Sequence, residues 1–212
     1  ATKLVALGPF ARDPMISFLA ARANSFPQLK GRSEELLRVQ ADAIAVGPFD
    51  NRFMRAALRR REITEIVVDR WTSLDEVRAG VKGFAREIGE VQNGRALVDE
   101  IEMALVGLRN RTRRSPGLSF VLLHRRGLVG EGGLVSQLLE IAGLRDAAKG
   151  APDRFMSVEA IIALRPTFLV VTQRRSRAED RGLELLEHPA LRRLYPGSRR
   201  ITAPERLTIC AG

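Results

Sequence analysis

The sequence is poor in the residue types on which many catalytic and metal sites depend. It has one cysteine, two histidines, one tryptophan and one tyrosine among 212 residues. The single Cys210 excludes an internal disulfide and a cysteine-based zinc site, and it leaves the redox compartment open. No GxxxxGK[ST], GxSxG or HExxH motif is present, and only His124 and His188 could serve as a base near neutral pH. We therefore expect no catalytic residues, no resident metal and no cofactor.

Long apolar runs are also missing. No stretch approaches the roughly 18 residues that a membrane-spanning helix requires. A signal peptide has a basic region followed by an apolar region. The start of the sequence shows no such pattern. We expect a water-soluble chain whose export signal has either been removed or never existed.

The charge is strongly positive, with a net charge of +10 and an isoelectric point near 11.1. Such a balance favours an anionic partner, which could be nucleic acid, a membrane surface or an acidic small molecule. The aromatic content is only 5%, and no aromatic-basic motif of an RNA-binding sheet or a zinc finger is present. We expect no nucleic-acid partner.

One pattern occurs twice, as EELLRVQADAIAV at 34–46 and as EAIIALRPTFLVV at 159–171, displaced by 125 positions. In each copy an acidic residue begins a short apolar helix, a helix-breaking pair of residues follows, and a four-residue apolar strand ends the unit. The strands AIAV and FLVV are apolar without alternation, which predicts parallel sheets covered on both faces. The repeat therefore predicts two similar lobes that face each other across a cleft.

The remaining pattern extends this interpretation over the whole chain. It predicts an α/β fold in which two lobes of parallel sheet flanked by helices are joined by a long rigid helix, with the ligand cleft between the lobes. The N-terminal lobe covers 1–92, the interlobe helix 93–115 and the C-terminal lobe 116–212. Strands are predicted at 4–7, 43–46, 63–68, 118–123, 168–171 and near Ile201, and helices at 15–23, 53–61, 134–142 and 183–194.

Two helices are predicted between the lobes. Ser73 and Glu76 form a capping box, and Gly89 ends the helix that they open. A second helix of about 20 residues follows, with apolar residues from Ala96 to Leu108, and would bridge the lobes stiffly.

Ligands of open parallel sheets bind beyond the carboxyl ends of the strands, so the residues that follow each strand are the candidate site. Aromatic faces and guanidinium groups suit a large, flat or anionic ligand. The alternative is that these residues are ordinary turn residues and solvated loop charges. The candidate ligand-binding residues are Phe10, Arg12, Phe49, Arg70, Trp71, His124, Arg125, Gln173 and Arg174.

Three details stay open at the level of sequence. His124 is either a metal ligand or a hydrogen-bonded structural residue. The glycine-rich segment 130–133 either directs backbone N–H groups at an anion or forms a plain tight turn. His188 is expected to cap or pack near a helix start.

An ordered set of short segments resembles the substrate-binding proteins of ABC importers for ferric siderophores, haem and cobalamin, whose lobes are joined by one rigid helix. The resemblance covers nearly the whole chain. The segments are RDP at 12–14, GRSEE at 31–35, SLDEV at 73–77, AGLRDAA at 142–148, SVE at 157–159 and HPAL at 188–191.

The resemblance implies a non-catalytic monomer, periplasmic or lipid-anchored at the cell surface, that delivers a metal chelate to an ABC permease dimer in the inner membrane. It also implies that Glu34 and Glu159 dock the two lobes onto the permease. Haem-binding members often use a tyrosine ligand, whereas Tyr195 lies in the helical C-terminal region, so the expected order is ferric siderophore first and cobalamin or haem second. The alternative function is a cytosolic α/β enzyme that acts on an anionic metabolite.

Overall fold

The computed structural model describes residues 4–30, 33–47, 55–56, 58, 60–112, 117–123, 133–151, 155–173 and 185–207. Throughout these ranges no helix is both long and apolar enough to cross a bilayer.

The N-terminal lobe contains a small parallel sheet. Its strands β1 and β2 pair in register from Ala43 opposite Thr64 to Val46 opposite Val67. Residues 55, 56 and 58 are helical, and Leu58 is only 1% exposed. Arg55 ties this stretch to the sheet by an ion pair with Glu65 at 2.7 Å. The elements of this lobe are α1 (Ala20–Ala23), α2 (Ser33–Arg38), β1 (Ala43–Val46) and β2 (Thr64–Val67).

Two long helices, α3 (Leu74–Glu87) and α4 (Val91–Thr112), form an antiparallel hairpin after the first lobe. Ser73 caps α3 by accepting a hydrogen bond from the Glu76 N–H at 3.2 Å. Gly89 turns the chain with a φ of 69°, a left-handed value that glycine adopts without strain. The capping box, the glycine stop and the long second helix are therefore confirmed, and α4 has a length of roughly 33 Å at 1.5 Å per residue.

The C-terminal lobe is built on a four-stranded, fully parallel sheet with the strand order β4-β3-β5-β6. Short 3-10 helices at Gly197–Arg199 and Glu205–Leu207 flank the last strand. The elements of this lobe are β3 (Ser119–Leu123), α5 (Leu134–Ile141), β4 (Arg145–Asp146), α6 (Val158–Leu164), β5 (Phe168–Gln173), α7 (Pro189–Leu194) and β6 (Arg200–Pro204).

Both faces of this second sheet are covered. Val121 and Leu123 pack on one face with Ile161 of α6 and Leu191 of α7. On the opposite face, Phe120, Leu122 and Val170 pack against Val135 and Leu139 of α5. A strand buried on two sides has no polar face, which explains why β3 and β5 are apolar without alternation.

The two lobes repeat the same order of elements. Each places a helix and then a strand in the repeated segments, as α2 and β1 in one lobe and as α6 and β5 in the other. Before each of these units a parallel pairing joins two segments, Leu7 with Gln28 in the first lobe and β3 with β4 in the second. The prediction of two similar α/β lobes from the repeat is therefore confirmed.

Three local predictions for the first lobe were wrong. The strand predicted at 4–7 is reduced to the single bridge at Leu7, and Leu4 and Val5 are exposed. The helix predicted at 15–23 begins only at Ala20, because Asp13 closes a side-chain turn on the Met15 N–H at 2.8 Å and the chain continues as turns. In β1, Ala43 and Ala45 are exposed, so the expectation of two covered faces holds for FLVV but not for AIAV.

A glycine determines how closely the hairpin helices approach. A Cβ atom added at Gly94 would overlap the Ala85 side chain of α3. We expect Gly94→Ala to lower the free energy of unfolding by about 1–3 kcal/mol, the usual range for overpacking. The matched control is Gly107→Ala on the same helix, where a Cβ meets nothing within 4 Å. That change should raise stability by roughly 0.5–1 kcal/mol because alanine favours helix. Urea unfolding monitored by circular dichroism measures the free energy of unfolding of both variants. Equal changes in the two variants would contradict the close packing of Gly94 against Ala85.

Candidate functional site

A hydrogen bond joins the helical hairpin to the second lobe. The backbone N–H of Leu74, at the start of α3, donates to Oε1 of Gln137 in α5 at 2.9 Å. Helix α3 follows the carboxyl end of β2 after a short connection, and α5 follows the carboxyl end of β3. Ligands of a parallel sheet bind beyond its carboxyl edge, and this contact lies in the segments that follow those edges along the chain.

The connection between β2 and α3 is held in place by Glu76. Its carboxylate accepts hydrogen bonds from the backbone N–H of Thr72 at 2.6 Å and from the Thr72 hydroxyl at 2.8 Å. These bonds favour the ionised form and lower the pKa of Glu76 below its ordinary value. Because Thr72 is fixed from both its backbone and its side chain, the position of the adjacent Trp71 is fixed as well.

Trp71 lies against the glycine face of α3. Its indole occupies the space that a Cβ atom at Gly80 would fill. The neighbouring cavity has a volume of about 230 Å³. It is lined by residues of the β2 edge and of one face of α3, namely Ile66, Val67, Val68, Asp69, Trp71, Gly80, Gly83, Phe84 and Glu87.

Arg70 and Asp69 are exposed beside this cavity. Neither forms a salt bridge with any residue that the structure describes. An exposed guanidinium without an internal partner can bind a carboxylate or a phosphate in two-point geometry. Of the predicted ligand residues, Arg70 and Trp71 lie in the connection that leads from β2 to Leu74.

Phe10 and Arg12 occupy a different environment. Phe10 is 69% exposed, and its segment is joined to 27–29 by backbone bonds and by Gln28, whose side chain donates to the Pro9 carbonyl at 2.7 Å. Arg12 donates to the carbonyl oxygens of Ala23 and Phe26. Its guanidinium therefore stabilises the turn after α1, a structural role that the sequence did not indicate.

The other predicted ligand residues are only partly described. Gln173 ends β5 and pairs in register with Pro204, which places its backbone at the carboxyl edge of the second sheet. Phe49, His124, Arg125 and Arg174 lie outside the described residues. Of the glycine-rich segment, Gly133 is the N-cap of α5 in extended conformation, and 130–132 lie outside the description. Within the described ranges no cluster of His, Cys, Asp or Glu could hold a metal ion.

No family model matches the sequence, and no curated protein does. Solved structures do match over nearly the whole chain. A periplasmic heme-binding protein from Pseudomonas aeruginosa is 18% identical, with a TM-score of 0.70 over 97% of this chain and 77% of that one. The periplasmic heme-binding protein HutB of Vibrio cholerae is 14% identical, with a TM-score of 0.72 over 98% and 92%. An ABC transporter substrate-binding protein from Listeria monocytogenes is 12% identical, with a TM-score of 0.66 over 88% and 78%.

The chain has the fold of the two-lobe periplasmic binding proteins. The fold predicted from the repeat and the fold implied by the resemblance are both confirmed. Within this fold the contact of Leu74 with Gln137 lies between the lobes. Sequence could not reveal Gln137, since a bond across 63 positions leaves no local pattern.

His188 and Tyr195 of the C-terminal lobe both have structural roles. His188 caps α7 and accepts a hydrogen bond from the Ala190 N–H at 3.3 Å, which confirms its expected role. Tyr195 is 3% exposed within the core of the second lobe, and the Arg199 guanidinium lies 4.8 Å from the centre of its ring. Burial raises the pKa of Tyr195. Its phenol is therefore part of the core rather than of the interlobe edge.

Glu34 and Glu159 occupy the first turns of the equivalent helices α2 and α6. Both are exposed. Glu34 forms an ion pair with Arg38, one turn along its helix. The pKa of Glu159 is lowered by hydrogen bonds from its own N–H and from the Ser157 side chain, with a smaller effect of the His188 charge. Each carboxylate is thus accessible to a partner, as the docking hypothesis requires.

The packing of Trp71 on α3 generates a test that needs no ligand. Gly80→Ala should displace the indole, because the new methyl group overlaps it. We expect the emission of this sole tryptophan to shift to longer wavelength as the ring becomes more exposed. The control is Gly83→Ala on the same helix, where a Cβ meets nothing within 4 Å. Unchanged emission in Gly80→Ala, with the folded circular dichroism spectrum retained, would refute this position of the indole.

Proposed function

We propose that this chain is the substrate-binding protein of an ABC importer and that it captures an anionic metal chelate between its lobes. The observation that carries the proposal is the hydrogen bond of Leu74 to Gln137, which joins the helices that follow β2 and β3 in a fold shared with periplasmic binding proteins. Arg70, which forms no salt bridge with a described residue, and Trp71 precede Leu74 in the connection from β2. We further propose that the protein acts as a monomer in the periplasm and that it binds without catalysing a reaction.

Among the chelates, we place heme first and a ferric siderophore or cobalamin second, which reverses the order expected from the sequence. Several solved structures of this fold are named as heme-binding proteins. Heme also matches the cleft chemically, since its flat ring suits stacking on an indole and its two carboxylates suit arginine. The buried phenol of Tyr195 argues against that residue as an iron ligand. In this proposal His124, which the sequence places after β3, is the candidate ligand.

Binding of the three chelates by the purified protein tests this proposal. Hemin should quench Trp71 fluorescence and shift the heme absorption band, and it should bind more tightly than a ferric hydroxamate siderophore or cobalamin. Arg70→Gln should weaken hemin binding about 10- to 150-fold, the equivalent of roughly 1.5–3 kcal/mol for a charge-assisted bond. Arg111→Gln, which removes an exposed charge at the far end of α4, is the matched control and should bind as the wild type does.

Two outcomes separate the parts of the proposal. Tight binding of the siderophore or cobalamin with no binding of hemin would overturn the ranking and retain the importer role. Failure of all three chelates to bind folded protein would overturn the function itself. Tyr195→Phe should leave the hemin spectrum unchanged, whereas His124→Ala should alter it.

We also propose that Glu34 and Glu159 contact the permease. Glu34→Ala/Glu159→Ala should leave chelate affinity within about a factor of three, because neither acid is at the edge marked by Leu74. Association with the permease in proteoliposomes should weaken more than about tenfold, since each carboxylate loses a charge-assisted contact. Glu100→Ala/Glu187→Ala removes two other exposed acids and serves as the control. If both double variants bind the permease equally well, Glu34 and Glu159 act only as charges that stabilise the first turns of their helices.

A further inference from the structure

A second concave surface lies on the helical hairpin, away from the edge where the lobes meet. It has a volume of about 470 Å³ and lies between the second half of α3 and the first half of α4. It is lined by Lys82, Arg86, Val91, Arg95 and Asp99, and we call it the hairpin groove. Arg86 is 12 residues along α3 from Leu74, so the groove is roughly 18 Å from the contact between the lobes at 1.5 Å per residue.

The cations of the hairpin groove are solvent-exposed side chains. Lys82, Arg86 and Arg95 are all exposed, and within the described residues none of them forms a salt bridge or a side-chain hydrogen bond. Arg78, one turn before Lys82, behaves differently, because it bonds to both Glu102 and Asp75. The hairpin therefore pairs the arginine that joins its two helices, whereas the three groove cations form no salt bridge within the described residues. The pKa of Glu102 is lowered first by its hydrogen bond from Arg78, and the charge of Lys82 adds to this effect at longer range.

The positive charge of the groove is a local feature rather than a reflection of the basic chain. Residues 74–112 contain six Lys and Arg against seven Asp and Glu, although the chain as a whole carries +10. Within this nearly neutral hairpin, three cations and only Asp99 line one concavity. The lining residues carry a net charge of +2, and cations that lie close together repel one another less when an anion binds between them.

We propose that the hairpin groove binds an anion that carries two or more phosphate groups. Two arginines on facing helices offer paired N–H donors that match phosphate oxygens, and Lys82 adds a compact point charge. The surplus of two positive charges matches a ligand of at least two negative charges. The volume lies within the range of about 300–1,000 Å³ that small-molecule sites occupy. Such phosphates could belong to a soluble polyphosphate or to the headgroups of an anionic lipid surface.

Inorganic tripolyphosphate is the probe for the soluble source. It should bind the intact protein at low ionic strength, and its affinity should fall steeply as salt is added. Lys82→Gln/Arg86→Gln/Arg95→Gln should bind it at least about 100-fold more weakly, since three charge-assisted contacts are lost. Arg111→Gln, an exposed arginine of α4 outside the groove, should bind as the wild type does. Calorimetry measures the affinities, and thermal unfolding checks that each variant is folded.

Vesicles of phosphatidylcholine with and without phosphatidylglycerol distinguish the two sources. Binding to the anionic vesicles that tripolyphosphate displaces, and that the triple variant loses, supports one phosphate site open to either source. Vesicle binding without tripolyphosphate binding, lost in the triple variant, assigns the groove to lipid headgroups. The proposal is overturned if neither probe binds, or if the folded triple variant binds as tightly as the wild type. Arg95→Gln alone, which should weaken binding about tenfold, repeats the test with the smallest change.

Discussion

The close contact of α3 with α4 is the constraint on which the arrangement of the lobes depends. At Gly94 the two helices approach so closely that there is no room for a methyl group beside Ala85. The ion pairs of Arg78 with Glu102 and Asp75 add polar bonds across and along the same hairpin. Because the start of α3 carries the bond to Gln137, the packing of this hairpin also sets how the first lobe meets the second.

The candidate site inherits its order from this hairpin. Glu76 fixes Thr72, the indole of Trp71 rests on Gly80, and Arg70 forms no salt bridge with a described residue. The aromatic face of Trp71 is therefore already in place before any ligand arrives. Such preorganisation reduces the ordering entropy that binding would otherwise cost.

The sequence predicted the fold well wherever a local pattern is also a structural cause. The capping box at Ser73, the stop at Gly89 and the buried strand FLVV follow from hydrogen-bonding and periodicity over a few residues. It failed at 4–7 and 15–23, where pairing partners and a side-chain turn at Asp13 decide the outcome. The surroundings of individual candidate residues were harder to predict than the fold. Arg70 follows a strand end as expected, whereas Arg12 bonds to backbone carbonyls that no sequence pattern identifies.

Helix α3 borders two concavities on different faces. Gly80 and Phe84 line the cavity beside Trp71, while Lys82 and Arg86 line the hairpin groove. A rigid helix cannot shift on one face without shifting on the other. Occupation of either concavity that moves or stiffens α3 therefore changes the free energy of occupation of the other, and thermodynamic linkage makes the two effects equal. Helix α3 is therefore the element through which the occupation of one concavity is coupled to the occupation of the other.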